Sequence, residues 1–351
     1  MQLTQIDFDK QQVHLRNVSR TFALTIPMLP KSLIDYISNA YLLCRIADTV
    51  EDDPIAADKQ KISWLISFAD FCANEFSDDM QLLSLHKQAV EMVSAGAKKS
   101  ELELMKDMLG VISRTRTYPR KIQQILAKGV SILSFGMAKS IKGLNIKTLD
   151  DVDEYCYYVA GVVGELLAAL FCEHNHSIDK HNLMALSVSF GEGLQLTNIL
   201  KDRAEDAKRN VHYLPLANKD GVKSEIDEYI AICQGHLDDA LTFICSVPQS
   251  EYGIRLFCLL NIAMATATLK VVYKNDPTSE IKPKITRNQV KTLYVLSRFC
   301  ARSNFLSKML FKFISRSVKR NSRDAIKLRA KVSCWEQKLS FLSLQEGISN
   351  D

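Results

Sequence analysis

The sequence predicts an all-α fold that forms one helical bundle. Its 351 residues are 47% hydrophobic and 24% charged, an ordinary balance for a globular protein that can bury a sizeable core. No stretch alternates convincingly between apolar and polar residues, as a half-buried strand would. Apolar residues instead recur every three or four positions, which is the spacing of one face of a helix.

Helical segments can be placed in order along the chain, between turns marked by proline or polar residues. Apolar stretches at residues 39–47 and 190–200 are predicted to be helical. Clear amphipathic patterns are formed by Leu102, Leu104, Met105, Met108, Leu109 and Ile112, and by Leu126, Val130, Leu133 and Met137. Turns are expected at residues 27–30, 52–54, 118–119, 247–250 and 274–283. No linker-like stretch in the sequence indicates a second domain.

Two acidic clusters of the same design end the apolar stretches at residues 39–47 and 190–200. They are Asp48-Thr49-Val50-Glu51-Asp52 and Asp202-Arg203-Ala204-Glu205-Asp206. The two aspartates of each cluster are four residues apart and lie on one face of a helix, so each cluster offers a pair of carboxylates pointing one way. Two such pairs facing each other would hold several Mg²⁺ ions, which prefer carboxylate oxygens and also bind phosphates. The clusters therefore predict a magnesium site for a diphosphate leaving group.

The alternative is that each cluster is a solvated helix face, because like charges at this spacing cost only about 0.2–0.5 kcal/mol. The neighbours of the second cluster favour the metal site. One stripe of polar side chains is formed by Gln195, Asn198, Asp202 and Asp206. Apolar Leu196, Ile199 and Leu200 surround that stripe, so its carboxylates are expected to be partly buried and to require a cation.

Four ordered motifs in this chain resemble those of the squalene and phytoene synthases, which join two prenyl diphosphates head to head. The motifs are Ser19-Arg20-Thr21-Phe22, residues 43–52, residues 155–164 and residues 195–206. The resemblance runs from residue 19 to residue 289, and four motifs in order argue against a chance match. It implies an all-α isoprenoid-synthase bundle with a central active-site cavity.

The resemblance also implies which residues bind the metal and the substrate. The implied Mg²⁺ ligands and their helpers are Asp48, Glu51, Asp52, Asn198, Asp202, Glu205 and Asp206. The implied substrate-binding residues are Ser19, Arg20, Arg45, Gln195, Lys201 and Arg209, among which the cations suit phosphate oxygens. Most relatives carry an arginine where this chain has Val211, and we expect Lys208 or Arg209 to act in its place.

Three aromatic residues are implied to act on the reacting carbocation. Tyr155 is the expected acid or base, because closing a cyclopropane ring requires a positioned proton acceptor. Phe22 and Phe257 match positions that line the pocket in squalene synthases, and aromatic faces stabilise cations. Plain core packing is the alternative for both phenylalanines.

The details of the motifs resemble a squalene synthase more than a carotenoid enzyme. Thr49 and Glu51 are usually absent from the carotenoid relatives, and residues 284–289 resemble the basic stretch that squalene synthases use near NADPH. Lys284, Arg287 and Asn198 are therefore the expected cofactor-binding residues. The expected reaction condenses two farnesyl diphosphates to presqualene diphosphate and reduces it with NADPH to squalene. Alternatives are a phytoene or dehydrosqualene synthase without reductant, and a non-catalytic membrane-associated assembly factor of the same fold.

The C-terminal region is strongly basic. Residues 284–331 contain 14 Lys and Arg residues against the single acid Asp324. Two adjacent apolar rows are formed by Phe305, Met309 and Phe313 and by Leu306, Leu310 and Ile314, with Lys308, Lys312, Arg316 and Lys319 beside them. Such a helix suits an anionic membrane surface, or packs its apolar face on the bundle with its lysines in solvent. Nucleic acid is not expected, because no recognised binding module accompanies the charge. We expect residues 1–290 to form the catalytic domain and residues 291–351 to continue it as basic amphipathic helices.

The cysteines and the apolar segments of the chain indicate in which cellular compartment the protein is expected. Nine cysteines, without a Cys-x-x-Cys pair and mostly within apolar runs, are typical of small buried residues in a reducing cytoplasm. No signal peptide is indicated, and no run reaches the ~18–20 apolar residues of a membrane span. We expect a cytoplasmic protein with peripheral contact at the inner face of the cell membrane. The missing C-terminal anchor of eukaryotic squalene synthases predicts a bacterial-type enzyme.

Overall fold

The computed structural model describes residues 6–143, 146–209, 211–216, 222–275 and 282–337. The regular structure of these residues is helical, without a strand, which confirms the all-α class. The chain forms two compact units: unit 1 is Met1–Leu144 with Cys334–Asp351, and unit 2 is Asn145–Ser333. The expectation that residues 291–351 continue the catalytic domain of residues 1–290 stays a prediction. Residues 338–351, the end of the expected C-terminal segment, lie outside the described residues.

Unit 1 contains eight of the described helices. They are α1 (Phe8–Val18), α2 (Arg20–Thr25), α3 (Lys31–Glu51), α4 (Asp58–Ala73), α5 (Asp79–Val93), α6 (Lys99–Lys106), α7 (Met108–Thr115) and α8 (Arg120–Ile141). Helix α8 packs against α3 and α4, and Leu43, Phe68 and Leu126 are fully buried in this core. The amphipathic pattern of residues 102–112 forms α6 and α7 rather than one helix. Asp107 separates them, with its carboxylate paired to Lys10 and His14 at 2.7 Å each.

Helix α3 carries the first acidic cluster at its C-terminal end. It begins after Pro30, which serves as N-cap, and is longer than the apolar stretch that predicted it. Its buried face includes Leu33, Ile37 and Leu43. Asp48 lies in its last turn and Asp52 is the C-cap residue, so the cluster ends the helix as expected.

Unit 2 contains the remaining described helices. They are α9 (Leu149–Cys156), α10 (Val162–His174), α11 (Lys180–Lys208), α12 (Val222–Ser246), α13 (Tyr252–Lys274), α14 (Arg287–Cys300), α15 (Asn304–Ile314) and α16 (Ala325–Val332). A π-helical turn, Tyr157–Gly161, joins α9 to α10. Helix α11 packs against α10, α12, α13 and α16 and is the centre of this unit.

Glycine permits a close approach between the π-helical turn and α11. A Cβ atom on Gly164 would lie 1.9 Å from the carbonyl oxygen of Ser187, and one on Gly191 would lie 2.1 Å from that of Ala160. Neither contact is sterically possible, so a side chain at Gly164 or Gly191 would force the helices apart.

Two helical segments of unit 2 are long and apolar enough to cross a membrane, contrary to the expectation that no run approaches this length. They are Leu149–His174 and Tyr252–Lys274, whose most apolar stretches are 83% and 67% buried inside the protein. Burial on this scale is the ordinary condition of a core helix, and both segments pack against α11. Length and composition alone therefore do not separate a span from a core helix in this fold.

Candidate active site

The first acidic cluster is organised around Arg45, one turn before Asp48 on α3. Nη1 of Arg45 donates to Oδ2 of Asp48 at 3.1 Å, and Nη2 donates to Oε1 of Glu101. Glu101 lies in the first turn of α6, where its Oε2 accepts from the backbone N–H of Lys98 at 3.2 Å. Glu101 was not expected at this site, and it reaches Arg45 across 56 residues of sequence.

The carboxylates of the first cluster are poorly neutralised. Burial raises the pKa of Asp48 to about 6; Arg45 opposes this shift and Asp52 adds to it. Burial, and then the charges of Asp48 and Asp52, raise the pKa of Glu51 well above its ordinary value. Both shifts arise chiefly from burial, which disfavours the ionised carboxylates, and a divalent cation bound to their oxygens would favour them.

The first motif meets the first acidic cluster at Tyr41. Ser19 is the N-cap of α2, where its Oγ accepts from the N–H of Phe22 at 3.1 Å. The ring of Phe22 lies 5.2 Å from that of Tyr41. Burial raises the pKa of Tyr41, a hydrogen bond with Ser19 lowers it, and Arg45 and Asp48 act on it electrostatically. Ser19, Phe22 and the α3 cluster are thus brought together within unit 1, and Arg20 is exposed beside them.

The second acidic cluster lies in the last turns of α11 and forms ion pairs with Lys282. Nζ of Lys282 lies 2.5 Å from both Oδ1 of Asp202 and Oε2 of Glu205. Lys201 pairs with Oδ2 of Asp202 at 3.2 Å. The hydrogen bond from Lys282 lowers the pKa of Glu205. Nothing in the sequence distinguished Lys282, which belongs to the polar stretch expected to be a turn.

The other polar residues of the α11 stripe differ in exposure. Asp206 is buried and its Oδ1 accepts from Nη2 of Arg209 at 2.6 Å, so the guanidinium expected to bind substrate is held by a carboxylate of the same cluster. Asn198 is exposed and its Oδ1 accepts from Lys201 at 3.0 Å. Gln195 is half-buried one turn earlier. The predicted stripe is present on α11, but of its four residues only Asp206 is buried.

Tyr155 is buried in α9 and stacks on an aromatic residue from the segment after α11. Its ring centroid lies 4.7 Å from that of Tyr213, with 18° between the ring planes. Tyr213 lies two residues after Val211, whose N–H donates to the carbonyl of Asp206 at 3.0 Å. Within unit 2, Tyr155 and the end of the acidic helix are therefore connected through residues 211–213.

Phe257, Lys284 and Arg287 lie in different surroundings from those just described. Phe257 is fully buried in α13, which agrees with the core-packing alternative. Lys284 and Arg287 are exposed at the start of α14. Thr286 is the N-cap of α14: its Oγ1 accepts from Gln289 N–H at 3.2 Å while Gln289 Oε1 accepts from Thr286 N–H at 2.7 Å.

A further buried group of ionisable residues was not expected from the sequence. Asp153, Glu192 and His236 each place one potential ligand atom within 4.8 Å of the others. The geometry alone would suit a metal ion. Arg323, however, donates to both oxygens of Asp153 at 2.6 Å, so a fixed guanidinium already supplies positive charge at this place.

The chain is similar to known proteins over the span that contains these motifs. A family model described as squalene/phytoene synthase matches residues 15–289. Squalene synthase of Nicotiana benthamiana is 31% identical over 286 residues, covering 74% of this chain and 63% of the relative. Squalene synthase of Schizosaccharomyces pombe is 26% identical over 295 residues, covering 77% and 61%. The chain thus spans less than two thirds of the length of these relatives.

Solved structures agree on the fold. A ligand complex of TcSQS has a TM-score of 0.72 at 21% identity and covers 94% of this chain and 99% of that chain. Squalene synthase HpnC from Alicyclobacillus acidocaldarius has a TM-score of 0.52 at 18% identity and covers 77% and 95%. The family match includes both acidic clusters and Tyr155 and extends over most of the sequence. We conclude that this chain belongs to the squalene/phytoene synthase family.

Proposed function

We propose that the protein is a squalene synthase, a prenyltransferase that condenses two farnesyl diphosphates to presqualene diphosphate and reduces this product with NADPH to squalene. The observation that carries the proposal is the pair of matching carboxylate clusters on α3 and α11. One has carboxyl groups with raised pKa values, and the other holds an ammonium group between Asp202 and Glu205. A diphosphate leaving group with its magnesium supplies the charges that such clusters complement.

The ligand set fits Mg²⁺. Asp48, Asp52, Asp202 and Asp206 are the proposed ligands, with Glu51, Glu205 and Asn198 assisting. All offer hard oxygen atoms, and Lys282 marks a place where a cation is already favourable. When bound, Mg²⁺ stabilises the negative charge that builds up on a departing diphosphate.

Fixed cations of the chain are proposed to hold the substrate diphosphates. Arg20 is exposed beside Ser19, whose hydroxyl is hydrogen-bonded with Tyr41 and would exchange this partner for a phosphate oxygen. Lys201, Arg209 and Arg45 already pair with carboxylates, so they would bind phosphate oxygens by sharing or exchanging these partners. Gln195 offers a neutral amide donor on the same stripe. These groups orient the substrate without taking part in bond formation.

Tyr155 is proposed to act in the first step. Ionisation of one farnesyl diphosphate leaves an allylic cation, which the double bond of the second molecule attacks. Loss of a proton then closes the cyclopropane ring. The buried hydroxyl of Tyr155, carried by a ring stacked on Tyr213, is the candidate for receiving or relaying that proton. Phe22 is the aromatic face proposed to stabilise the cation, and Phe257 contributes from the buried side of α13.

The second step is proposed to use NADPH as hydride donor. Lys284 and Arg287 are exposed cations at the start of α14 and suit the nucleotide phosphates by charge, and Asn198 is the proposed polar contact on α11. When bound, NADPH would supply the hydride that takes the place of the diphosphate of presqualene diphosphate, giving squalene, diphosphate and NADP⁺. Without reductant, the cation left by loss of this diphosphate would yield dehydrosqualene by proton loss.

The test is turnover of labelled farnesyl diphosphate with Mg²⁺, in the presence and absence of NADPH. We expect presqualene diphosphate to accumulate without NADPH and squalene to form when it is added. Dehydrosqualene made at full rate without reductant, or phytoene made from geranylgeranyl diphosphate, would replace the proposal with the carotenoid alternative. Absence of any prenyl product under all these conditions would favour the assembly-factor alternative.

We also propose that α14 and α15 meet an anionic membrane surface on the cytoplasmic side. Phe299, Phe305, Met309 and Phe313 are 67%, 69%, 54% and 71% exposed, a high exposure for large apolar side chains. Lys308, Lys312 and Arg316 are exposed beside them. The apolar side chains suit the acyl boundary and the cations suit anionic headgroups, so one bilayer surface would satisfy both.

A further inference from the structure

Residues 320–333, which we call the C-terminal strap, are bound to the rest of unit 2 by polar contacts, of which those to Asp153 and Glu165 involve buried carboxylates. The N–H of Asn321 donates to the carbonyl of Ala231 in α12 at 2.9 Å. Gly235 makes this approach possible, since a Cβ atom there would lie 2.3 Å from the carbonyl oxygen of Asn321. Arg320 pairs with Asp238 of α12 at 2.8 Å. The strap follows the span matched by the family model, residues 15–289, so the family match gives it no role.

The charged residues of the strap converge on the segment that carries Tyr155. Arg323 donates to both oxygens of Asp153, two residues before Tyr155, at 2.6 Å each. Lys331 pairs with Asp150, which lies in the first turn of α9. Asp153 is fully buried, so this two-pronged contact supplies a cation and two hydrogen bonds to a carboxylate removed from water.

The strap also reaches the other side of Tyr155 through a chain of hydrogen bonds. Tyr157 donates from its hydroxyl to Oε2 of Glu165 at 3.0 Å. Oε1 of the same carboxylate accepts from Nε of Arg329 and from Oγ of Ser333, both at 2.7 Å. Glu165 is fully buried, and its two oxygens thus connect the π-helical turn to the strap.

The backbone beside Tyr155 departs from a regular α-helix. The segment turns from α9 into the π-helical turn Tyr157–Gly161, and π-helical turns are rare and concentrated at functional sites. The turn changes the register between α9 and α10, so contacts on both of its flanks bear on the direction of the Tyr155 side chain. Two buried carboxylates, Asp153 before the turn and Glu165 after it, supply the fixed points, and both depend on arginines of the strap.

We propose that the C-terminal strap positions Tyr155 for the first step of the reaction, with Arg323 and Arg329 acting as positioning residues through Asp153 and through Glu165 and Tyr157. The inference rests on the proposed role of Tyr155. It extends that role to a part of the chain 170 residues away from Asp153.

Hydrogen exchange on the full chain tests the structural half of this inference without using activity. Arg323→Lys and Arg329→Lys keep the charge but lose the planar fork, and Ser333→Ala is a milder variant that removes one hydrogen bond to Glu165. We expect amides of residues 149–161 to exchange ~10-fold faster in these variants while those of α13 stay unchanged. Lys327→Gln is the matched control, because this α16 side chain is 85% exposed and pairs with Asp324 of the strap itself. Unchanged exchange at residues 149–161 overturns the inference.

A double-mutant cycle on presqualene diphosphate formation tests the positioning half. We expect Arg329→Lys to lower kcat ~10-fold with little change in KM for farnesyl diphosphate, because the diphosphate-binding groups are untouched. In a Tyr155→Phe background the same change should cost little more, since residues that act through one another are not additive. Multiplicative losses, or a loss confined to KM, overturn the inference. If the wild-type protein makes no presqualene diphosphate, the proposed function fails, and hydrogen exchange still decides whether the strap holds this segment.

Discussion

Arg45 shows how one side chain sets what the first acidic cluster can bind. Its guanidinium is divided between Asp48 and Glu101, so it neutralises the cluster only in part. Burial raises the pKa of Asp48 to about 6 against the effect of Arg45, and burial also raises that of Glu51. A divalent cation suits this cluster, because one ion bound between neighbouring carboxylates stabilises the ionised form of each of them. No second Lys or Arg side chain is then required.

Removing single carboxylates tests the metal assignment. We expect Asp48→Asn and Asp202→Asn each to lower turnover by ~10²-fold or more, since loss of one electrostatic element at a developing negative charge commonly has this effect. Helicity and the thermal midpoint should change little, which circular dichroism would check. Glu91→Gln, an exposed carboxylate of α5, is the charge-matched control and should leave turnover unchanged. Near wild-type rates in Asp48→Asn or Asp202→Asn at ordinary Mg²⁺ would contradict the ligand assignment.

Lys282 provides a second test at the level of one residue. Its ammonium occupies the space between Asp202 and Glu205, so a divalent ion at this cluster has to displace it. Lys282→Gln should therefore tighten binding of Mn²⁺, used as a paramagnetic substitute for Mg²⁺, by ~10-fold, or ~1.4 kcal/mol. Electron paramagnetic resonance of free Mn²⁺ measures this directly. Equal or weaker binding would show that Lys282 and the metal do not compete.

The interface of α11 with α12 contains a buried pair that links stability to pH. Burial, and then the charge of Arg323, lower the pKa of His236 to about 3, while burial raises that of Glu192, 3.7 Å away. His236 favours folding above pH 6.5 and this stability is lost as pH falls toward 3, because the unfolded chain binds a proton that the folded chain excludes. Glu192 has the opposite effect: its cost to folding diminishes as pH falls toward its ordinary value of 4.5.

Urea unfolding between pH 4.5 and 7.5 separates these two contributions. Glu192→Gln should raise the free energy of unfolding at pH 7.5 and steepen its decline below pH 6.5, toward the limit of ~1.4 kcal/mol per pH unit for one proton. His236→Leu should flatten the decline. His181→Gln is the control, because His181 is exposed at the start of α11. A pH profile that neither buried substitution alters would mean that the pair titrates alike in the folded and unfolded states.

The helices α14 and α15 are the elements on which the membrane proposal stands. Binding to vesicles that contain phosphatidylserine should weaken as salt rises, since attraction between exposed charges fades beyond a Debye length of ~8 Å at physiological ionic strength. Replacing Lys308, Lys312 and Arg316 together by Glu should release the protein. The same change at Lys59, Lys87 and Lys121 of unit 1, all exposed, should not. If neither salt nor the substitution of Lys308, Lys312 and Arg316 changes binding, the basic face of α15 does not bind the membrane and is only solvated.

The periodicity of apolar residues predicted where helices lie better than it predicted which of their faces are buried. The α11 stripe and the end of α3 followed from the spacing of apolar and acidic residues. The two apolar rows of α15 were expected on one face, yet Leu310 and Ile314 are buried while Phe305 and Phe313 are exposed. Only one row can face the bundle, because successive residues are rotated by about 100° around a helix. Which row is buried depends on packing that the spacing does not contain.

The features that the sequence argument missed are contacts between distant parts of the chain. Glu101 reaches Arg45 across 56 residues, Lys282 reaches Glu205 across 77, and Arg323 reaches Asp153 across 170. Each is a charged residue in a polar stretch, which by itself is typical of a solvated surface. Motif resemblance selected Asp48, Tyr155 and Asp202 as candidates, but it did not select Glu101, Lys282 or Arg323. The expectation that the two carboxylate pairs face each other stays a prediction.

At the scale of the whole molecule, the proposed two-step reaction predicts that different substitutions stop it at different points. Lys284→Ala with Arg287→Ala should slow the conversion of presqualene diphosphate to squalene and leave its formation near the wild-type rate. These exposed cations are proposed to bind only the phosphates of NADPH. Tyr155→Phe should instead slow presqualene diphosphate formation, and presqualene diphosphate supplied from outside should still be reduced.

Rapid-quench analysis of labelled farnesyl diphosphate measures both rates in one experiment. In the Lys284 and Arg287 double variant, the intermediate should accumulate in the presence of NADPH, and a higher NADPH concentration should restore squalene, because weakened binding is overcome by mass action. Lys291→Ala, an exposed cation one turn further along α14, is the matched control. If both steps slow together, or if added NADPH restores nothing, residues 284–287 do not bind the nucleotide and the resemblance of this stretch to a squalene synthase has no functional meaning.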